Sequence, residues 1–239
     1  MSNIHISLDD VKGIFKALTY DSLSSIFDTR TLRFLREMHQ LYGTVFYLFC
    51  TYRDGDFSLE KVPGNYAEEF RRNADWLKFG FHCYDEGIIY KGKSEADFKR
   101  HFSSFQRQIK RIAGQDETIN ALRIHSFQGD REICRILRAE GVSTLFTADD
   151  DRCSYYLDEE AISELKNSGS YYDQSLDLMF VRSCTRLENS VGAMEEIEKY
   201  RNAGWDIISI FTHEWQMDRE NIRNKFELCC QWKGEKRND

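Results

Sequence analysis

The feature that most constrains this chain is an alternation. Short β-branched or aromatic runs recur along its 239 residues, separated by longer amphipathic, charged segments. The runs are Ile4–Leu8, Thr44–Cys50, Leu77–Tyr84, Ala121–Phe127, Thr144–Ala148, Leu176–Cys184 and Asp206–His213. Between them, 30–42, 67–75, 95–113, 131–140, 192–203 and 219–232 carry helical periodicity, and Gly43, Gly114, Gly141 and Gly204 stand where helices end. Only the segment 149–175 is irregular, and it reads as a short strand with a short helix. About seven strand–helix units imply parallel strands joined by right-handed crossovers. Such a sheet stays open or closes. An open, doubly wound sheet usually carries a glycine-rich phosphate turn after an early strand, and neither G-x-G-x-x-G nor G-x-x-x-x-G-K-S/T occurs here. The expected fold is therefore α/β, a distorted (β/α) barrel of about seven parallel strands. With no linker rich in Pro, Gly or Ser, residues 1–239 read as a single domain. The sole proline, Pro63, lies in a polar loop over 52–66.

Composition narrows the function. A net charge of −7 argues against a nucleic-acid partner, which usually meets a basic face. Seven cysteines (Cys50, Cys83, Cys134, Cys153, Cys184, Cys229, Cys230) form no C-x-x-C pair. They read as reduced, mostly buried side chains rather than a disulfide framework or a zinc cage. The first residues start a strand at once, with no signal-peptide pattern, and no apolar run approaches the ~20 residues a bilayer span requires. A cytoplasmic location is expected. Oligomeric state is not legible.

Ligands of parallel α/β folds bind where the strands end at their carboxyl termini. The expected strands end in Asp9-Asp10, His82-Cys83-Tyr84-Asp85-Glu86, Arg123-Ile124-His125, Asp149-Asp150-Asp151, Thr185-Arg186 and Thr212-His213-Glu214-Trp215. A carboxylate after a strand is commonly a helix N-cap, and a strand histidine is commonly a packed core residue. Several such groups on one rim are costly unless a cation or opposite charges compensate them. Asp10, His82 and Glu86 form a three-ligand set of one imidazole and two carboxylates. That set suits one divalent metal: Zn, or Co, Mn or Fe. Asp9 beside it is placed to act as a general base, and His213 to protonate a leaving group. His125 is either a further ligand or a substrate contact. Trp215 and Tyr84 are candidate sugar-stacking faces. Arg186 and Glu188 read as a solvated loop pair.

At these residues the chain resembles the polysaccharide deacetylase family, the NodB-homology group also called carbohydrate esterase family four, as a divergent member. Ser7-Leu8-Asp9-Asp10 resembles the first motif, T/S-F-D-D-G, in which the two aspartates are base and metal ligand. Phe79–Glu86 is similar to the second, H-S/T-x-x-H, which matches His82 and, at the same spacing, Glu86. Leu122–His125 is similar to the third, R-x-P, whose arginine orients the base, and would give that role to Arg123. Asp149-Asp150 falls where the fourth motif supplies an aspartate, here Asp150, a candidate partner for His213. Ile210–His213 is similar to the fifth, L-x-H, whose histidine is the general acid. Val11, Glu86 and His125 depart from the pattern, and no D-W pair follows Asp150. The resemblance implies metal-dependent removal of an acetyl group from a carbohydrate. The absent leader points towards an intracellular sugar or glycan precursor. Two alternatives stand beside it: an inactive, deacetylase-like binding protein, and a metal-dependent hydrolase of a non-sugar amide.

Overall fold

A computed structural model describes residues 3–115, 119–152 and 154–235. Cys153 lies outside them, and the other six cysteines are buried and unpaired. The strands are β1 (Asn3–Val11), β2 (Phe46–Thr51), β3 (Arg53–Asp54), β4 (Phe57–Ser58), β5 (Leu77–Cys83), β6 (Ala121–Leu122), β7 (Thr144–Thr147), β8 (Ser170–Asp173), β9 (Leu178–Arg186) and β10 (Ile207–His213). The helices are α1 (Gly13–Tyr20), α2 (Arg30–Tyr42), α3 (Ala67–Arg72), α4 (Glu95–Ala113), α5 (Arg131–Ala139), α6 (Glu159–Ser168), α7 (Ala193–Asn202) and α8 (Glu220–Glu235).

Seven strands pair in parallel in the order β5-β2-β1-β10-β9-β7-β6, covering all seven predicted runs. The ends of this path, β5 and β6, lie side by side and all but close the sheet, so the fold is the expected distorted (β/α) barrel. Gly80 makes that approach possible. A β-carbon there would come within 2.6 Å of Leu122 Cδ2 and 2.7 Å of Ile119 Cδ1. The helices form where local chemistry allows. Thr29 and Ser94 cap α2 and α4 with their hydroxyls, and Gly43 and Gly114 end them in the left-handed conformation. Phe98, Phe102, Phe105, Ile109 and Ile112 recur at helical spacing on the buried face of α4, and Phe81 of β5 meets Phe98, Phe102 and Phe105 edge-on. Burying each such side chain contributes about 1.5–3 kcal/mol.

Three local expectations are corrected. The run Ala121–Phe127 is a strand only over Ala121–Leu122, and its last three residues form a tight turn in which Ser126 and Phe127 both take φ 56°, which no strand tolerates. The loop over 52–66 contains the β3–β4 hairpin. Helix α1 carried no local signal, since its N-cap, Lys12, makes no side-chain capping bond. Its first amides are instead satisfied by a carboxylate some 200 residues away, described below. The irregular segment contains α6 and β8, as expected, with β8 pairing antiparallel to β9.

Candidate metal centre

The site begins with a break in β1. In a regular strand, consecutive side chains point to opposite faces, so adjacent aspartates could not share one pocket. Here the β1–β2 register shifts between Leu8 and Val11, and Asp10 adopts φ 55°, a conformation that Asp tolerates better than most residues. Both carboxylates thereby serve the carboxyl-terminal mouth of the barrel.

Asp9 turns towards the barrel interior. Its Oδ1 accepts from Arg123 Nη1 at 2.9 Å. Arg123 is wholly buried, and it also donates to the hydroxyls of Ser7 (2.8 Å), Ser209 (3.0 Å) and Ser183 (3.2 Å). Its guanidinium carbon lies 4.2 Å from the centroid of Phe211, 5.0 Å from Phe146 and 5.5 Å from Phe49. Such stacking suits a weakly hydrated planar cation. Arg123 is thus the side chain bonded to Asp9. Ser183 and Ser209 went unremarked in the sequence, and Ser7 entered only as the first residue of the Ser-Leu-Asp-Asp motif. Their signal was a hydroxyl at inward positions of otherwise apolar strands.

Asp10 turns the other way. Its Oδ1 lies 3.3 Å from His82 Nε2 and 3.6 Å from His125 Nδ1, and the two imidazole nitrogens are 3.3 Å apart. His82 Nδ1 donates to the carbonyl of Arg123 at 2.6 Å, which fixes the tautomer and leaves the Nε2 lone pair facing the cluster. Burial alone would raise the Asp10 pKa, but the imidazoles of His125 and His82 hold it well below the usual carboxylate range. Burial lowers His82, and the negative charges of Asp10, 3.3 Å away, and of Asp9 more than reverse this. Oδ1 of Asp10 nevertheless is buried with no hydrogen-bond donor of acceptable geometry. A buried, orphaned carboxylate oxygen beside two imidazole nitrogens fits a divalent cation, and the one-oxygen, two-nitrogen donor set suits Zn or a neighbouring first-row ion.

Glu86, expected in this set, is not part of it. Its carboxylate is ion-paired with Lys12 Nζ on the half-exposed surface. His125 stands in its place, because the turn after β6 brings that imidazole over the β5–β6 seam.

Across the mouth, His213 presents Nε2 at 3.9 Å from Asp10 Oδ2. Its Nδ1 is hydrogen-bonded to Glu188 Oε1, while Glu188 Oε2 accepts from Thr212 Oγ1 at 2.7 Å. Burial pulls the His213 pKa down, but the hydrogen bond to Glu188 and the charges of Asp9, Glu188 and Asp10 raise it above its ordinary value. Glu188 is the partner expected of Asp150. Asp150 is bonded to Arg152 instead, and Asp149 to Arg186 at 2.5 Å. Glu188 and Arg186 therefore do not form the loop pair read from sequence. Glu214, another residue the sequence reading left unassigned, accepts from the amides of Lys12 (2.8 Å), Gly13 (2.6 Å) and Ile14 (2.7 Å). It ties the end of β10 to the start of α1 and so fixes the loop that carries Asp10. Of the two candidate stacking faces, Trp215 is 56% exposed, with its ring centroid 5.8 Å from that of His213. Tyr84 stacks on Tyr52 at 4.6 Å and on His101 at 4.1 Å, so protein rings occupy it.

No family model matches the sequence, and no curated protein does. Solved structures do. A carbohydrate esterase family 4 (CE4) pseudoenzyme from Bacillus anthracis superposes with a TM-score of 0.55 at 8% identity, over 98% of this chain and 60% of that one. The chain has the fold of the CE4 deacetylases. A family 4 acetyl xylan esterase from Clostridium thermocellum, in complex with a cobalt ion, gives 0.52 at 12% identity over 98% of this chain and 84% of that one. A 4-alpha-glucanotransferase from Thermococcus litoralis also matches, at 0.57 and 11% identity, over 95% of this chain but 37% of its own length. The chain thus spans about three fifths of the length of the CE4 pseudoenzyme it matches. Among the described residues, no helix is long and apolar enough to cross a membrane.

Proposed function

We propose that this chain is a divergent member of the CE4 deacetylases and hydrolyses an acetyl group from a carbohydrate with the help of one divalent metal ion. The observation that carries this reading is the orphaned Asp10 Oδ1 facing the nitrogens of His82 and His125. These three residues would hold the ion, which when bound supplies Lewis-acid polarisation of the acyl carbonyl and of water. Asp9 takes the proton of the attacking water. Arg123 keeps that carboxylate oriented, and its serine contacts hold the guanidinium in place. His213 gives a proton from Nε2 to the departing amine nitrogen or alcohol oxygen, and Glu188 holds the other ring nitrogen throughout. Water and the acetylated sugar become acetate and the free amine or hydroxyl, with one proton taken by Asp9 and one given by His213.

A second reading, a binding protein that does not turn over, is favoured by the likeness to a CE4 pseudoenzyme and by the departures at Val11, Glu86 and His125. The test is acetate release from acetylated amino-sugar and xylose oligomers by protein loaded with Zn, Co, Mn or Fe. Release by the wild type that falls by at least about 10²-fold in Asp9→Asn supports the hydrolase. Stoichiometric metal with no release from any of these substrates supports the binding protein.

A further inference from the structure

The sheet has one join unlike the others, and the metal centre straddles it. Among the described residues no backbone hydrogen bond links β5 to β6, whereas the other neighbours on the path are joined by parallel ladders. Part of the β5 edge is taken from elsewhere. The side-chain amide of Gln115, in the segment after α4, donates to the carbonyl of Phe79 at 2.8 Å and accepts from its N–H at 3.1 Å. The bond from His82 Nδ1 to the Arg123 carbonyl crosses the seam, as do the side chains of Leu122 and Ile119 that lie over Gly80. Behind it, against α4, is a cavity of about 230 Å³ lined by Phe79, Phe81, Phe102, Ile109, Ile119 and Leu122. Protein interiors rarely keep such a void, so the outer face of the seam is loosely supported. A join without a ladder, over a void, is the one that opens at least cost.

The candidate ligands stand on both sides of this join. Asp10 and His82 come from the flank of β1, β2 and β5, and His125 follows β6 on the other. Their donor atoms are 3.3, 3.3 and 3.6 Å apart. Bonds of about 2.0–2.1 Å to a tetrahedral ion place neighbouring donors about 3.3–3.4 Å apart, so the closed seam holds the triangle that an ion needs. An open seam carries His125 away from the other two. In the motif that Phe79–Glu86 resembles, both histidines belong to one strand end, and such a pair stays together whether or not a seam opens. Here the second position is Glu86, paired with Lys12, and its replacement comes from across the join.

We propose that His82 and His125, joined through the ion, lock the barrel: the β5–β6 seam opens and closes in the metal-free protein and is held shut once they share the metal. The ion thus has a structural function beside its chemical one. The proposal rests on the metal-centre reading above and deepens it.

Native-state hydrogen exchange tests it on the wild type, either stripped with a chelator or supplied with Zn at a hundredfold excess over the Kd found by equilibrium dialysis. The reporters are the amide of Phe79, bonded to Gln115, and those of Ile124 and Phe127, in the turn that carries His125. Amides of β1 and β10 report global unfolding. In stripped protein the reporters should exchange about tenfold or more faster than the β1 and β10 amides, with little dependence on urea, which marks a local opening. Zn should slow them about 10²-fold. In Glu86→Gln the slowing should persist. In His125→Ala, whose folding the β1 and β10 amides verify, Zn should leave Phe79 as fast as in stripped wild type. The inference is overturned if the reporters of stripped protein exchange together with β1 and β10 at every urea concentration. It is also overturned if Zn binds and leaves them fast, a result that keeps the metal centre and removes only the lock. Failure of Zn, Co, Mn and Fe to bind at all removes both.

Discussion

Two adjacent carboxylates of β1 end in opposite conditions. Asp9 is bonded to a buried arginine whose two terminal nitrogens also donate to Ser7, Ser183 and Ser209, while its Nε is buried without a partner. Asp10, one residue on, has a left-handed backbone and a buried oxygen left without a donor among imidazoles. In the first arrangement the carboxylate has its counter-ion within the protein. In the second, Oδ1 of the carboxylate faces two imidazoles without a donor. A paired carboxylate and an unpaired one thus divide the end of the strand.

The division predicts unequal responses to mutation. The largest belongs to Arg123. Arg123→Met leaves Asp9 buried and unpaired, which should cost about 3–5 kcal/mol in denaturant unfolding. Adding Asp9→Asn should return part of that loss, because the two residues act as one unit. A loss no greater than that of an ordinary surface substitution would break the contrast. Next comes Asp10. Metal at a hundredfold excess over its Kd should stabilise the wild type by about 2.7 kcal/mol. In Asp10→Asn that gain should vanish, while metal-free stability stays within about 1 kcal/mol, since Asn also tolerates the left-handed backbone. Thermal shifts with and without Zn read both quantities.

Gly80 sharpens the comparison from the scaffold side. The β-carbon of Gly80→Ala would meet Leu122 and Ile119 at the barrel seam, across which His82 bonds the Arg123 carbonyl. Overpacking there should cost about 1–3 kcal/mol and weaken metal binding with it. An unchanged urea midpoint would mean that the seam yields freely.

The smallest effect is the pH dependence of the His213–Glu188 pair in metal-free protein. Burial raises Glu188, but bonds from His213 and Thr212 lower it overall. Its contribution is therefore present above the unfolded carboxylate pKa, about 4.3, and is lost as pH falls through its lower folded value. His213 is raised overall, so its contribution is present below about 6.5 and is lost as pH rises through its folded value. The stability difference between wild type and Glu188→Gln should peak between about pH 4.5 and 6.5, on the order of 1 kcal/mol, and shrink on both sides. A difference that keeps growing above pH 8 would contradict the pairing.

The sequence made the barrel legible because β-branched runs and capped helices report on local physics. It singled out Asp9, Asp10, His82, Arg123 and His213 because strand ends are where a parallel sheet gathers its polar groups, and the structure brings these residues to one end of the barrel. Contacts made only by the closed fold were hidden. His125 reaches Asp10 because β6 stops after two residues, and Glu188 reaches His213 from the end of β9. Glu86 had the spacing of a ligand, but Lys12 captures it at the surface. Helix α1 was invisible because its cap, Glu214, is contributed by the other end of the chain.

The central claim is that Asp10, His82 and His125, rather than Glu86, complete one metal site. Metal content and affinity of purified wild type, His125→Ala and Glu86→Gln test it most directly, by elemental analysis after dialysis against Zn and by competition with a chelator. The account predicts one ion per chain in wild type and Glu86→Gln at similar affinity, and a loss of about 10²-fold or more in His125→Ala, of the size that a lost ligand or its supporting contact produces. Retention by His125→Ala together with loss by Glu86→Gln would contradict it.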